Sequence, residues 1–320
     1  MRKLLVLTLF WLPVLAQPLP EALKKALEIP TVLNAKLEVE TKAKDLARTL
    51  EDPLRTPLSE LQARQALSLA EARLRRALAQ AESEIASAYA QALEASLQVR
   101  LAEKALAVAE LALKATEVRV KGGGATSLDL LEAQNRVLEA RKNLEAARRG
   151  ESAARASLEN LVGPWKPEPV ELPPLPEEGL VERLLQEHAD LLQLRQSLEL
   201  LRFQRGLLDE SFAARKDIEA LEDQIRTLEV SLDNLERSLR VGLKARYDQL
   251  LPLLEGAKAA EKAFQAAKER YAAEERRFQA GITSQLGLWQ QELALLQAEL
   301  SLAQARHAYL KAYYGLLASR

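Results

Sequence analysis

The 320-residue chain contains no cysteine, and its only methionine is the initiator Met1. Disulfides, thiolate metal sites and cysteine nucleophiles are therefore excluded. Aromatic residues make up 4% of the chain, and none lies between Trp11 and Tyr89. Only two histidines are present, His188 and His307, and neither has a second histidine a helical turn away. That leaves no metal-ligand spacing. No serine sits in a nucleophile elbow and no catalytic constellation is recognisable, so the chain does not read as an enzyme, and no cofactor is expected. Charge of one sign is lacking too: 45 Lys and Arg stand against 46 Asp and Glu, a net charge of −1. No global basic field recruits nucleic acid, and the clusters Arg73, Arg75, Arg76 and Arg148, Arg149 read as solvated helix faces beside Glu71, Glu145 and Glu151. Apart from the first residues, no stretch reads as a transmembrane helix.

Those first residues read as an address. Arg2 and Lys3 precede an apolar run from Leu4 to Leu15, and Ala16 offers a small residue for cleavage, the three-part pattern of a secretory signal over residues 1–16. The run is short for a membrane span. The mature chain is expected to be exported, in the periplasm or associated with the outer membrane.

Glycine and proline are few, 12 and 13, and their positions divide the chain. Six prolines fall in PWKPEPVELPPLP, Pro164 to Pro176. Neither a helix nor a central strand tolerates that density, so residues 164–178 read as an extended linker of polyproline character. The flanks, 17–163 and 179–320, are rich in Ala, Leu, Glu, Arg and Gln, the strong helix formers. They also align with each other at a shift of 158 residues: Tyr89 meets Tyr247, Arg119 meets Arg277, Gly123 meets Gly281, and Leu138 meets Leu296. The fold class expected is all-α: long antiparallel coiled-coil helices in two tandem repeats.

Leu58 to Lys121 contains no glycine or proline and predicts one helix about 96 Å long. Two seven-residue seams run along it, Leu101, Val108, Ala115 and Leu106, Leu113, Val120. In the second repeat they become Ala259, Ala266, Ala273 and Phe264, Tyr271, Phe278. Two seams call for a neighbour on each side, which suits either a closed tube or a solid antiparallel bundle. KGGGATS from Lys121 and AGITS from Ala280 then mark a helical hairpin tip in each repeat, with glycine to cap one helix and Ser or Thr to start the next. No GK[ST] follows the glycines, so a phosphate loop is not indicated. His188, in QEHADLL, reads as a surface residue early in a helix, and Glu274-Glu275 as a solvated face.

Several features together resemble the TolC outer-membrane efflux protein family: the signal segment, the two repeats, Ser87-Ala88-Tyr89 with its counterpart Ala245-Arg246-Tyr247, the tip stretch from Arg119 to Ala147 with its copy from Arg277 to Arg306, and the close Tyr313-Tyr314-Gly315. The resemblance implies a TolC-like α-barrel: three chains forming a periplasmic tunnel, a homotrimer. Its tips Gly122, Gly123, Gly124 and Ala280, Gly281, Ile282 would dock a periplasmic adaptor (a membrane fusion protein) and, through it, an inner-membrane pump. It also implies passive passage of an efflux or secretion substrate, with Asp129 and Glu132 as lumen or gate residues. The alternative for these two acids is complementing the helix dipole. Their counterparts Gly287 and Gln290 are uncharged, and Trp289 reads as a packing anchor. The family's β-hairpins have no counterpart here. Ala47 to Leu61 shows no alternation, and Ile218 to Leu239 repeats by three and four as a helix does; barrel strands need about ten alternating residues. The second functional reading is therefore a coiled-coil scaffold of the cell envelope, derived from the same family but not transporting.

Overall fold

The computed structural model describes residues 18–208 and 214–320. The signal segment read at 1–16 lies outside the described residues. Nine α-helices are described: α1 (Leu19–Lys24), α2 (Pro30–Glu51), α3 (Pro57–Lys121), α4 (Ser127–Val162), α5 (Leu180–Glu187), α6 (Ala189–Leu207), α7 (Arg215–Asp248), α8 (Leu250–Gln279) and α9 (Gln285–Leu317). No strand occurs among the described residues. At the first site expected for a β-hairpin, α2 is joined to α3 by residues 52–56 alone; at the second, Arg215 to Leu239 belongs to α7, and residues 209–213 lie outside the described residues.

Helix boundaries follow from local chemistry. Thr56 caps α3 in a reciprocal box with Ser59, and Pro57 opens the helix where no amide partner is needed. The helix then runs for 65 residues. The 158-residue shift carries α3 onto α7 and α8 together, from Arg215 to Gln279. The interruption at Gln249 has a simple cause: Pro252 has no amide to offer the Asp248 carbonyl, so the ladder breaks there.

The helices lie in rows. On the side of the glycine tips the order is α4, α3, α9, α8; on the other side it is α2, α3, α6, α7. The long helix α3 belongs to both. The end helices of each row do not pack on one another. Within the tip-side row the two repeats use the same ion pair: Arg148 meets Glu103 at 3.0 Å and Arg306 meets Glu261 at 3.4 Å, each 158 residues from its counterpart. Such exposed pairs fix register more than they stabilise, since each contributes ~1 kcal/mol or less.

Nearly all the deeply buried bulk sits at the middle of the molecule. One core gathers Leu19, Val32, Ile85, Tyr89, Leu158 and Leu310; the other gathers Leu184, Leu191, Leu250, Tyr309 and Leu316. Between them runs the proline strap, without helix or strand from Gly163 to Gly179. Three tyrosines from three helices fasten its backbone. The Glu168 amide donates to the Tyr89 hydroxyl on α3 at 2.7 Å. Tyr309 on α9 donates to the Pro173 carbonyl at 3.0 Å, and Tyr247 on α7 to the Pro176 carbonyl at 2.7 Å. Leaving α4 at Val162, the strap thus meets α3, α9 and α7 in succession. The five residue steps from 168 to 173 extend ~15 Å as polyproline, enough to step between helices whose axes are 8–10 Å apart. Repeat-equivalent Tyr89 and Tyr247 serve the same strap at its two ends.

One expectation is corrected here. His188 is not a surface residue but is buried. It occupies the extended break between α5 and α6, which turns its ring inward against Leu239, Gly242 and Leu243 of α7, near Arg76. Burial holds its pKa below the ordinary histidine value; Asp190, whose carboxylate lies 3.9 Å away, opposes that shift in part.

Removing one strap hydroxyl leaves a polar backbone group at the strap without its partner. Tyr89→Phe and Tyr247→Phe are each expected to lower stability by about 1–2 kcal/mol, read as a shift in the urea unfolding midpoint. Burial also pushes the Tyr309 and Tyr314 hydroxyls up to about 12. In a spectrophotometric alkaline titration these two should ionise near pH 12, or abruptly with unfolding. The folded pKa is raised, so their contribution to stability is intact below the unfolded value of about 10 and is lost as pH rises through the folded value.

Candidate functional site at the helical tips

Both hairpin tips are built by the same backbone device. At the end of α3 the Gly124 amide donates to the Arg119 carbonyl at 2.7 Å and the Gly123 amide to the Val120 carbonyl at 3.0 Å. At the end of α8 the Ile282 amide donates to Arg277 at 2.8 Å and the Gly281 amide to Phe278 at 2.9 Å. This is the Schellman cap, which needs a left-handed residue. Gly123 has φ 77° and Gly281 has φ 71°. The expected tip residues Gly122, Gly123, Gly124, Ala280, Gly281 and Ile282 therefore form two matching, largely exposed turns at one end of the row.

The helices leaving the tips are capped differently. On α4, Asp129 closes a capping box: its Oδ2 accepts from the Thr126 amide at 2.7 Å and from Thr126 Oγ1 at 2.8 Å, and Thr126 Oγ1 accepts from the Asp129 amide at 3.2 Å. The Thr126 amide, then the Thr126 hydroxyl, with a smaller contribution from Arg119, holds the Asp129 carboxyl below the usual carboxylate range. On α9, Ser284 accepts from the Gly287 amide at 3.1 Å, with no acid in the box. A Cβ at position 287 would lie 2.8 Å from Thr283 Oγ1, because that hydroxyl is held against Glu274 at 2.6 Å. The Thr283–Glu274 pair takes the space that the acidic side chain fills in the first repeat. Glu274 is thus an anchor of the second tip, also paired with Arg277 at 3.2 Å, and not the solvated residue expected from its neighbours. Nothing in its spacing announced this, because Thr283 reaches it only through the fold of the turn.

Asp129 and Glu132 face a groove of about 390 Å³ between α3, α4 and α9. Arg119 and Arg136 share that groove with them, so the acids are not an isolated negative patch. Arg119 also donates to Thr116 Oγ1 at 3.0 Å. Trp289, on the second tip's outgoing helix, is partly covered by α3, with Lys104 Nζ 4.4 Å from its ring centroid and paired with Glu292.

This geometry has known relatives. Residues 59–164 match the family model described as outer membrane efflux protein. The Campylobacter jejuni CmeC outer membrane channel aligns with TM-score 0.67 and 11% identity, over 94% of this chain and 85% of its own. The described fold is TolC-like. A Pseudomonas aeruginosa membrane protein gives a TM-score of 0.66 at 15% identity, over 94% of this chain and 93% of its own. The Vibrio cholerae outer membrane protein VceC gives 0.64 at 15% identity, over 94% and 95%. No curated protein matches the chain in sequence. The family resemblance read from the residues therefore holds, while at these identities the solved structures speak for the fold alone. No described helix is long and apolar enough to cross a membrane.

An alanine at either left-handed glycine must adopt a conformation costing ~1–2 kcal/mol. Gly123→Ala and Gly281→Ala are each expected to loosen their own tip with little global effect. Hydrogen exchange should show faster exchange of the amides at 122–124 or 280–282, leaving the amides around Tyr89 unchanged.

Proposed function

We propose that the chain is the periplasmic duct of an efflux or secretion system, passing substrate passively as a ring of three copies and docking an adaptor at the glycine tips. The observation that carries this reading is the row itself. A solid bundle would bring α4 onto α8, but these helices stand at opposite ends of a single layer. The repeat supplies the missing contact. Within one chain the first repeat meets the second through α3 on α9. Moving that contact on by one repeat puts α8 of one copy against α4 of the next.

The open edges suit such a contact. On α4, Leu131 and Leu138 are exposed, 53% and 62%. Their repeat images, Trp289 and Leu296, are partly covered on α9. On α8, the exposed alanines Ala259, Ala266 and Ala273 correspond to Leu101, Val108 and Ala115, half-covered or exposed positions along α3. Alanine allows close approach and leucine supplies the burial, ~25 cal/mol for each Å² removed from water. An aqueous duct of helices needs no energy source of its own; an inner-membrane pump would supply it through the adaptor. Small residues at the tips let another helical hairpin come near the backbone. Asp129 and Glu132 are proposed as lumen or gate residues near those tips, with Asp129 also serving its cap. On this reading the protein is exported, in the periplasm or associated with the outer membrane. A scaffold that does not transport would leave the apolar edges of α4 uncovered or covered by some other protein.

The test separates assembly from docking. Purified protein should appear in negative-stain electron microscopy as a hollow threefold tube about 100 Å long, the length set by helix rise. Gly122→Trp with Ala280→Trp adds bulk at right-handed positions, sparing the left-handed caps. That variant should keep the tube and lose export of toxic compounds from cells. Solid rods would overturn the duct, and unchanged export would overturn docking at the tips.

A further inference from the structure

A cavity of about 310 Å³ opens where α3, the break between α5 and α6, α7 and the end of α9 come together. Its polar lining is cationic. Arg76 comes from α3, Arg246 from α7 and Arg320 from beyond α9, with His188 and the hydroxyls of Ser238 and Ser319 beside them. Leu239 and Leu243 give it an apolar side, and no acid is among its lining residues. Two of the arginines are held by acids outside the lining: Arg76 lies 3.4 Å from Asp190, and Arg320 lies 3.7 Å from Glu187 and also acts on Glu82. Arg246 differs. It donates to the Ser319 hydroxyl, and among the described residues no carboxylate pairs with it.

The first repeat fills the equivalent place. At the shift of 158 residues Leu243 falls on Ile85, Arg246 on Ala88, Ser319 on Leu161 and Arg320 on Val162. Ile85, Ala88 and Val162 are buried in the first core, and Leu161 packs against it. Where one repeat closes an apolar core, the other leaves a cavity and lines it with two arginines and a hydroxyl. His188 is an independent sign of an occupant. Its side chain is only 8% exposed, and its Nδ1 is buried with no hydrogen-bond partner among the described residues; the Asp190 carboxylate, 3.9 Å away, is too far to accept one. A buried polar atom left unpaired in this way is uncommon in a folded protein and costs free energy.

We propose that this cavity binds a phosphate monoester, with its phosphoryl group on the Arg246 guanidinium and the Ser238 and Ser319 hydroxyls, between Arg76 and Arg320. An arginine fork pairs with two oxygens of a phosphoryl group at once, and the third oxygen is left for the hydroxyls. A carboxylate has too few oxygens to use the same donors. The organic part of the ester lies against Leu239 and Leu243. The bound anion also offsets the burial that disfavours a charged His188. All these groups belong to one chain, so the site stands whether or not copies form a ring.

The presence of only two histidines makes the test direct. In the full chain labelled at histidine and carrying no histidine tag, NMR reads two imidazoles: His188 at the cavity and His307, which pairs with Glu94 elsewhere. Glycerol 3-phosphate is added slightly above neutral pH, where its second proton is lost, with sodium chloride of equal ionic strength as the control. The expected result is a saturable shift of the His188 signals alone, with no response to chloride. Arg246→Ala, which installs the first repeat's residue at an exposed position, should weaken binding roughly 10- to 100-fold, the range for losing a charge-assisted hydrogen bond, and leave the urea midpoint unchanged. Ser238→Ala, also exposed, should weaken it less. Arg240→Ala lies on the same helix but pairs with Glu182 and Glu236 outside the cavity, and should bind as the unaltered chain does. No saturable shift, or equal losses in the Arg246 and Arg240 variants, would overturn the site. Inorganic phosphate should bind more weakly than the ester; equal affinity would overturn the monoester and assign the cavity to the free anion.

Discussion

The proline strap and its three tyrosines are the constraint on which the remaining architecture rests. A single layer of long helices has almost no interior, and along most of its length each helix touches only its neighbours in the row. Such a layer has little to fix helix order or height. The strap does both. Its backbone is held by Tyr89, Tyr309 and Tyr247 in succession, so α3, α9 and α7 are set side by side at one level. The two buried cores flank this belt, and the largest fully buried side chains belong to them. Proline suits the task, because a chain with few amides and a preset extended backbone loses little freedom when laid across helices.

With the middle fixed, the ends are free to be thin. Toward the tips the α8 seam is rich in alanine, and on both sides of the belt most ion pairs are exposed. This is an unusual distribution for a monomer but a natural one for a wall segment, whose inner and outer faces both meet water and whose margins await a neighbour. The exposed leucines on α2 and α4 and the valine on α7 lie on those margins. The repeat makes the margins predictable, since each unpaired edge has a paired image elsewhere in the same chain.

The two repeats have not stayed identical, and the differences have local physical causes. The second copy of the long helix is interrupted at Gln249 by Pro252. The second tip keeps its left-handed glycine but exchanges the Thr126–Asp129 box for a Ser284 cap and a Thr283–Glu274 pair, which crowds out any side chain at position 287. The caps that end α3 and α8 are preserved because only glycine fills them without strain. The acid at the start of α4 has no counterpart because a threonine takes its space.

Much of this was determined by the sequence alone. Helix lengths, the tips at Gly123 and Gly281, the strap and the equivalence of Tyr89 with Tyr247 all follow from local chemistry. Glycine, proline and seven-residue spacing act within a few residues of themselves, and a one-dimensional reading captures them. The absence of strands was legible for the same reason, since Ile218 to Leu239 repeats by three and four. Tertiary structure alone decided which seam meets which neighbour, and hence that the helices form a row and not a bundle. It also turned His188 inward at the break between α5 and α6, drew Glu274 to Thr283, and brought the strap's carbonyls to hydroxyls some 70 to 140 residues away. Those outcomes depend on pairings between distant segments, where the same alanines and leucines would suit several partners. Only the assembled belt selects among them.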